Sequence, residues 1–181
     1  MSTNYYLITS DTDSVNKYFN GEYSTVEYDK CLMTIFDEHR CASDSMVYRV
    51  HIGKHSYGWQ PLFQAHKNAY DSIKGLRLFL RKHPEYIICD EYDCCMTFND
   101  LKKDLMDSRK TKGDCDKYTL KKENGWSRLV KAPDDYGGLT FSSPVSHIEV
   151  AKAMHDMGDF SEIDLYTRDT EGYEFYDGEF C

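Results

Sequence analysis

Residues 51–59 read HIGKHSYGW, which sets two histidines, a lysine, a serine and a tryptophan in and around glycines 53 and 58. Three chemistries draw on such a set. Gly53-Lys54-x-Ser56 matches the tail of a phosphate loop, in which backbone amides cradle phosphate and a lysine adds charge. The full pattern needs glycine at position 48 and a helix to follow, but position 48 is Tyr48 and Pro61 lies just downstream. A looser anion grip survives that test, because glycine lets amides approach a ligand and Trp59 can stack a ring beside it. The plainer reading of the same residues is a tight hairpin turn with a tryptophan plugging the core.

His51 and His55 are four apart, a spacing that suits a metal on a helix face and diverges on a strand and turn. With Asp90, Glu91 and Asp93 they would make a hydrolase-like histidine and carboxylate set. Carboxylates at the end of a strand are a usual source of metal ligands. They are also what a solvated turn looks like. Cys94-Cys95 raises the thought of a thiol nucleophile, against the commoner case of inert buried cysteines. Lys102, Lys103, Arg109, Lys110, Lys112, Lys117, Lys121 and Lys122 form a basic middle, read as a solvated helix face and loop or as a flap over an anion.

The elements that must position these residues follow from periodicity and turn chemistry. "NYYLIT" (4–9) reads as a strand and 11–22 as a loop; 24–36 holds a strand or a helix. "MVYRVHIG" (46–53) and "GWQPLFQAH" (58–66) form an antiparallel hairpin over a loop of about four residues, with Pro61 at an edge or bulge. Ile73, Leu76, Phe79 and Leu80 recur at helical spacing within 68–85, ended by His83-Pro84. "YIICDEY" (86–92) reads as a buried strand. Thr97 with Asp100 then caps a helix striped by Phe98, Leu101 and Leu105. Residues 110–143 read as an irregular excursion or flap, and Ser146 with Glu149 opens a helix ended by Gly158. "SEIDLYTRD" and "GYEFYDGEF" make a terminal hairpin across "DTEG". The expected fold is α+β, a mainly antiparallel sheet with about three helices packed on it, in a single domain over 1–181.

Composition narrows the function classes. With 40% hydrophobic and 14% aromatic residues, among them 15 tyrosines, the chain of 181 residues is too apolar to stay disordered and long enough to bury a core. Net charge is −9. Residues 156–181 carry nine acidic side chains and one basic, a local −8, whereas residues 99–131 carry ten basic and six acidic, a local +4. That balance opposes general binding to a polyanion backbone and leaves room for a local anion site, or for an acidic face toward a basic partner. Seven cysteines at 31, 41, 89, 94, 95, 115 and 181 form no CxxC, and the start shows no secretory signal pattern. Free thiols in a reducing cytoplasm are the expectation. No apolar run reaches the ~18 residues of a membrane span.

The chain resembles a family of small, largely uncharacterised proteins encoded by bacteriophages and prophages. The matching residues are Tyr5-Tyr6-Leu7, His51-Ile52-Gly53-Lys54, Ser56, Gly58-Trp59, Phe63, Asp90-Glu91-Tyr92, Arg109, Gly172-Tyr173, Phe175 and Gly178-Glu179-Phe180. One departure is that Cys31 and Cys41 replace a CxxC-type pair, so a zinc knuckle there is lost. The resemblance implies an accessory protein of the infected host's cytoplasm that counters host defence, and one such strategy is to sequester a nucleotide immune signal. On that reading the protein is non-catalytic and needs no cofactor. Gly53, Lys54 and Ser56 contact phosphate, Trp59 with Tyr57 or Tyr92 stacks the base, and Arg109 supplies a second cation. A homo-oligomer with shared pockets is a further expectation that no residue pattern requires. Two other classes stay open. One is an acidic interaction protein that inhibits a host defence complex by contact or nucleic-acid mimicry. The other is a metal-dependent hydrolase using His51 or His55 with Asp90 and Glu91.

Overall fold

The computed structural model describes residues 2–26, 47–106, 118–132, 140–141, 144–159 and 162–178. Cys31, Cys41, Arg109, Cys115, Glu179, Phe180 and Cys181 lie outside the described residues, as does most of the 24–36 segment.

Strands β1 (Ser2–Thr9), β2 (Ser24–Val26), β3 (Val47–Ser56), β4 (Leu62–Gln64), β5 (Ile87–Asp90) and β6 (Cys95–Met96) build one sheet with β10 (Tyr166–Arg168) and β11 (Glu174–Tyr176). The order is β10-β11-β4-β3-β1-β5-β6, with β2 pairing on β3. All pairs are antiparallel except β11 with β4. A smaller sheet, β8-β7-β9, joins β7 (Tyr118–Glu123), β8 (Trp126–Lys131) and β9 (Thr140–Phe141). The fold is α+β with a mainly antiparallel sheet, as the sequence leads one to expect.

Period-two alternation decides which side chains enter the core. Tyr5 and Leu7 of β1, Val50 and Ile52 of β3, Phe63 of β4 and Phe175 of β11 turn to one face. Helices α1 (Thr12–Phe19) and α2 (Ile73–Lys82) cover it, through Val15, Phe19, Ile73, Leu76 and Phe79. Leu101 and Leu105, from α3 (Phe98–Leu101) and the π-helical turn that continues it, close the same core. Burying a leucine of this kind contributes roughly 1.5–3 kcal/mol. The register shifts between Tyr5 and Tyr6, which face Gly53 and His51, so Ile52 is the extra residue of a bulge.

Three local readings hold and four need correction. Thr97 and Asp100 form the full capping box, Ser146 caps α4 (His147–Asp156), and β10 and β11 are the terminal hairpin. Residues 11–22, expected as a loop, contain α1: Asp11 accepts from the Ser14 amide, and Val15 and Phe19, four apart, are buried. Strand β3 runs on through Ser56 and the return strand is only Leu62–Gln64, so residues 57–61 connect them, turning at Tyr57-Gly58. Pro61 needs neither edge nor bulge, because it directly precedes β4. The excursion expected over 110–143 holds the β7–β8 hairpin, turned by Asn124 and Gly125, both at positive φ.

Candidate functional site: a cleft on the sheet face opposite the first two helices

The face of the central sheet opposite α1 and α2 carries a small apolar cluster, Ile8, Val47 and Cys89, and a polar patch beside it. There Tyr6 of β1 pairs with His51 of β3, and Arg49 stands one alternate position away. These three side chains and Gln64 of β4 floor a cleft of about 490 Å³, within the usual size of a small-molecule site. Glu22 and Tyr23, from the α1–β2 connection, form one wall, and Asp177 and Gly178, just past β11, form another.

The Arg49 guanidinium lies over the Tyr6 ring, 4.2 Å from its centroid, a cation–π contact. One terminal nitrogen reaches the Asp90 carbonyl at 3.5 Å and Asp93 Oδ1 at 3.6 Å. Its Nε is buried and has no hydrogen-bond partner among the described residues. A buried unsatisfied donor of this sort calls for an acceptor.

His51 meets Tyr6 edge-on at 5.3 Å. Its Nε2 donates to Asn4 Oδ1 at 3.1 Å, and Asn4 Nδ2 donates to Glu91 Oε2 at 2.9 Å. Burial, then the Lys54 and His66 charges, pushes the His51 imidazole down to about 4, so the neutral form sits in the cleft. The Asn4 bond holds Glu91 below the usual carboxylate range. Behind the cleft, His66 is 2% exposed; the Glu22 carboxylate lies 2.6 Å from its Nδ1 and the His51 carbonyl 2.8 Å from its Nε2.

The residues singled out in the sequence part company here. Gly53 is a ladder residue, paired with Tyr5 and Phe63, and an added Cβ would meet the Leu62 carbonyl oxygen at 2.9 Å. Glycine is there for close packing, so its amide is spent on the sheet. Lys54 and His55 continue β3, and Ser56 Oγ donates to Ser2 Oγ at 3.2 Å. Tyr57, 84% exposed, sits on the turn. Trp59 stacks on His147 at 4.6 Å and packs beside Val145 and Val150 in the core of the smaller sheet, so one indole face is taken. Tyr92 is 67% exposed beyond β5. Of the histidine and carboxylate set, only His51 lines the cleft; it reaches Glu91 through Asn4, and Asp90 caps the turn amides of Tyr92 and Cys94. Among the described residues no group of three or more His, Cys, Asp or Glu stands close enough to hold a metal. Burial raises the Cys89 and Cys95 thiols, the direction opposite to that of an activated nucleophile.

Sequence reasoning missed Arg49, Gln64 and Glu22. The signal for Arg49 was present: once Val50 and Ile52 are assigned to the core, alternation puts Arg49 and His51 together on the other face. Gln64 needed the terminal hairpin docked on β4, a pairing across more than a hundred residues. Among the described residues no helix is long and apolar enough to cross a membrane. No family model, curated protein or solved structure matches the chain.

Proposed function

We propose that the protein binds a small nucleotide-like ligand in this cleft and holds it without covalent change. The observation that carries the proposal is Arg49: a guanidinium fixed over Tyr6, with a buried, unpartnered Nε, on the floor of a cleft of ligand size. Such a group suits one phosphate or carboxylate better than a mobile surface lysine does. Tyr23 on the wall provides a ring for a planar base. Carboxylates at the rim, Glu22 and Asp177, oppose a polyphosphate and favour a ligand with a single anionic group and a donor-rich edge.

Three segments that carry the phage-family resemblance meet at the cleft through Tyr6, His51 and Gly178. On that basis the ligand is a nucleotide-derived signal of a host defence system and the function is sequestration. The mimicry alternative draws less support. Of the nine acids in 156–181, Asp159, Asp169, Glu174 and Asp177 are engaged in the fold, with Lys122, the Ile73 amide, Arg168 and Lys67.

Thermal unfolding against a panel of nucleoside monophosphates and cyclic dinucleotides tests the proposal. A ligand at 100 times its Kd stabilises by about 2.7 kcal/mol. A rise in Tm that disappears in Arg49→Ala supports the reading; a panel without any shift sinks it.

A further inference from the structure

Two groups in the cleft are fixed acceptors. Gln64 is 7% exposed, and its Nε2 donates to the Gly178 carbonyl at 2.7 Å and the Tyr176 carbonyl at 3.4 Å. Those two carbonyls settle which end of the amide is which. Oε1 is left over, and no described residue donates to it. Glu22 is held through one oxygen only, Oε2, by the buried His66. Its second oxygen makes no bond to a described residue.

An ionised carboxylate and an amide oxygen can only accept. A ligand edge that lies against both must present neighbouring N–H groups. Among the common nucleobases, guanine alone has two adjacent donors on its pairing edge, N1–H and the 2-amino group. Adenine and cytosine set a ring acceptor beside the amino group, and uracil flanks its single N–H with two carbonyls. A ring nitrogen or carbonyl brought against Glu22 would face lone pair to lone pair.

Resting on the nucleotide reading above, we infer that the cleft selects guanine. Glu22 and Gln64 accept from N1–H and the 2-amino group, and Arg49 is left for the phosphate. Hydrogen bonds to a charged acceptor discriminate by about 10- to 100-fold when the wrong partner leaves them unmade.

The test is equilibrium titration of the intact protein with guanosine, inosine and adenosine 5′-monophosphates, repeated with Glu22→Gln. Inosine keeps N1–H and lacks the 2-amino group. The expected order of affinity is guanosine, then inosine, then adenosine, with about 10-fold or more between the first and last. In Glu22→Gln that ratio falls to about 3-fold or less, since an amide can donate as well as accept. Equal binding of guanosine and adenosine by the unmodified protein overturns the guanine inference and leaves the nucleotide reading standing. A guanosine preference unchanged in Glu22→Gln overturns the role of Glu22. Failure of all three to bind overturns the inference together with the reading beneath it.

Discussion

Arg49 of β3 and Tyr6 of β1 form a cation–π pair at 4.2 Å on the sheet face opposite α1 and α2. Each is one residue out of phase with the core: Val50 and Leu7, their chain neighbours, are fully buried on the other side. The pair therefore rests on a rigid ladder, which keeps the guanidinium oriented before any ligand arrives.

Arg49→Lys should lose most of the ligand binding that Arg49→Ala loses, about 10-fold or more, because an ammonium neither stacks flat on Tyr6 nor offers an Nε. Stability should fall by only about 0.5–2 kcal/mol in either variant. Calorimetric titration beside urea unfolding checks both halves.

Gly53→Ala should destabilise by about 1–3 kcal/mol, since its Cβ would press on the Leu62 carbonyl oxygen at 2.9 Å and on Phe63. Binding per folded molecule should be unchanged. This outcome separates a packing glycine from a phosphate-gripping one, and the urea midpoint together with ligand stoichiometry reads it.

Acid should weaken the fold through two histidines. Burial lowers both His51 and His147 from 6.5 to about 4. In the folded state they stay neutral down to about pH 4, whereas in the unfolded chain they take a proton near 6.5. Protons therefore favour unfolding, and the stability these groups contribute is present above pH 6.5 and lost as pH falls toward 4. The loss is roughly 3 kcal/mol per histidine at the acid end. Urea midpoints between pH 7.5 and 4 should show the slope, and His51→Gln with His147→Gln should flatten it.

Glu174 ties the smaller sheet and α4 to the main sheet. Its buried carboxylate accepts from Ser146 Oγ, from the His147 amide at 2.8 Å and from Arg168 at 2.8 Å. Glu174→Ala should cost about 2–4 kcal/mol, because it leaves the His147 amide at the start of α4, Ser146 Oγ and Arg168 without their acceptor. Chemical denaturation followed by tryptophan fluorescence reads it, since Trp59 sits beside His147.

Legibility in the sequence tracked how local each determinant is. The Thr97 and Ser146 caps, the α2 stripe and the terminal hairpin rest on neighbours within a few residues, and all were readable. Helix α1 was not, because only Val15 and Phe19 mark its buried face in eight residues. Asn124-Gly125 was a readable hairpin turn lost in a charged setting. The site split the same way. The stretch HIGKHSYGW points to Lys54 and Trp59, yet of that motif only the His51 side chain lines the cleft. Its partners arrive by pairings of β3 with β1 and of β11 with β4, which no window of sequence contains.

The most direct test of the cleft is amide and side-chain chemical-shift mapping of the labelled protein during titration with guanosine 5′-monophosphate. Binding in the cleft predicts saturable shifts concentrated at Tyr6, Glu22, Arg49, His51 and Gln64, with little change at Ser56 and Tyr57. Saturable shifts centred on Lys54 to Trp59, with Arg49 and Gln64 unmoved, would contradict it.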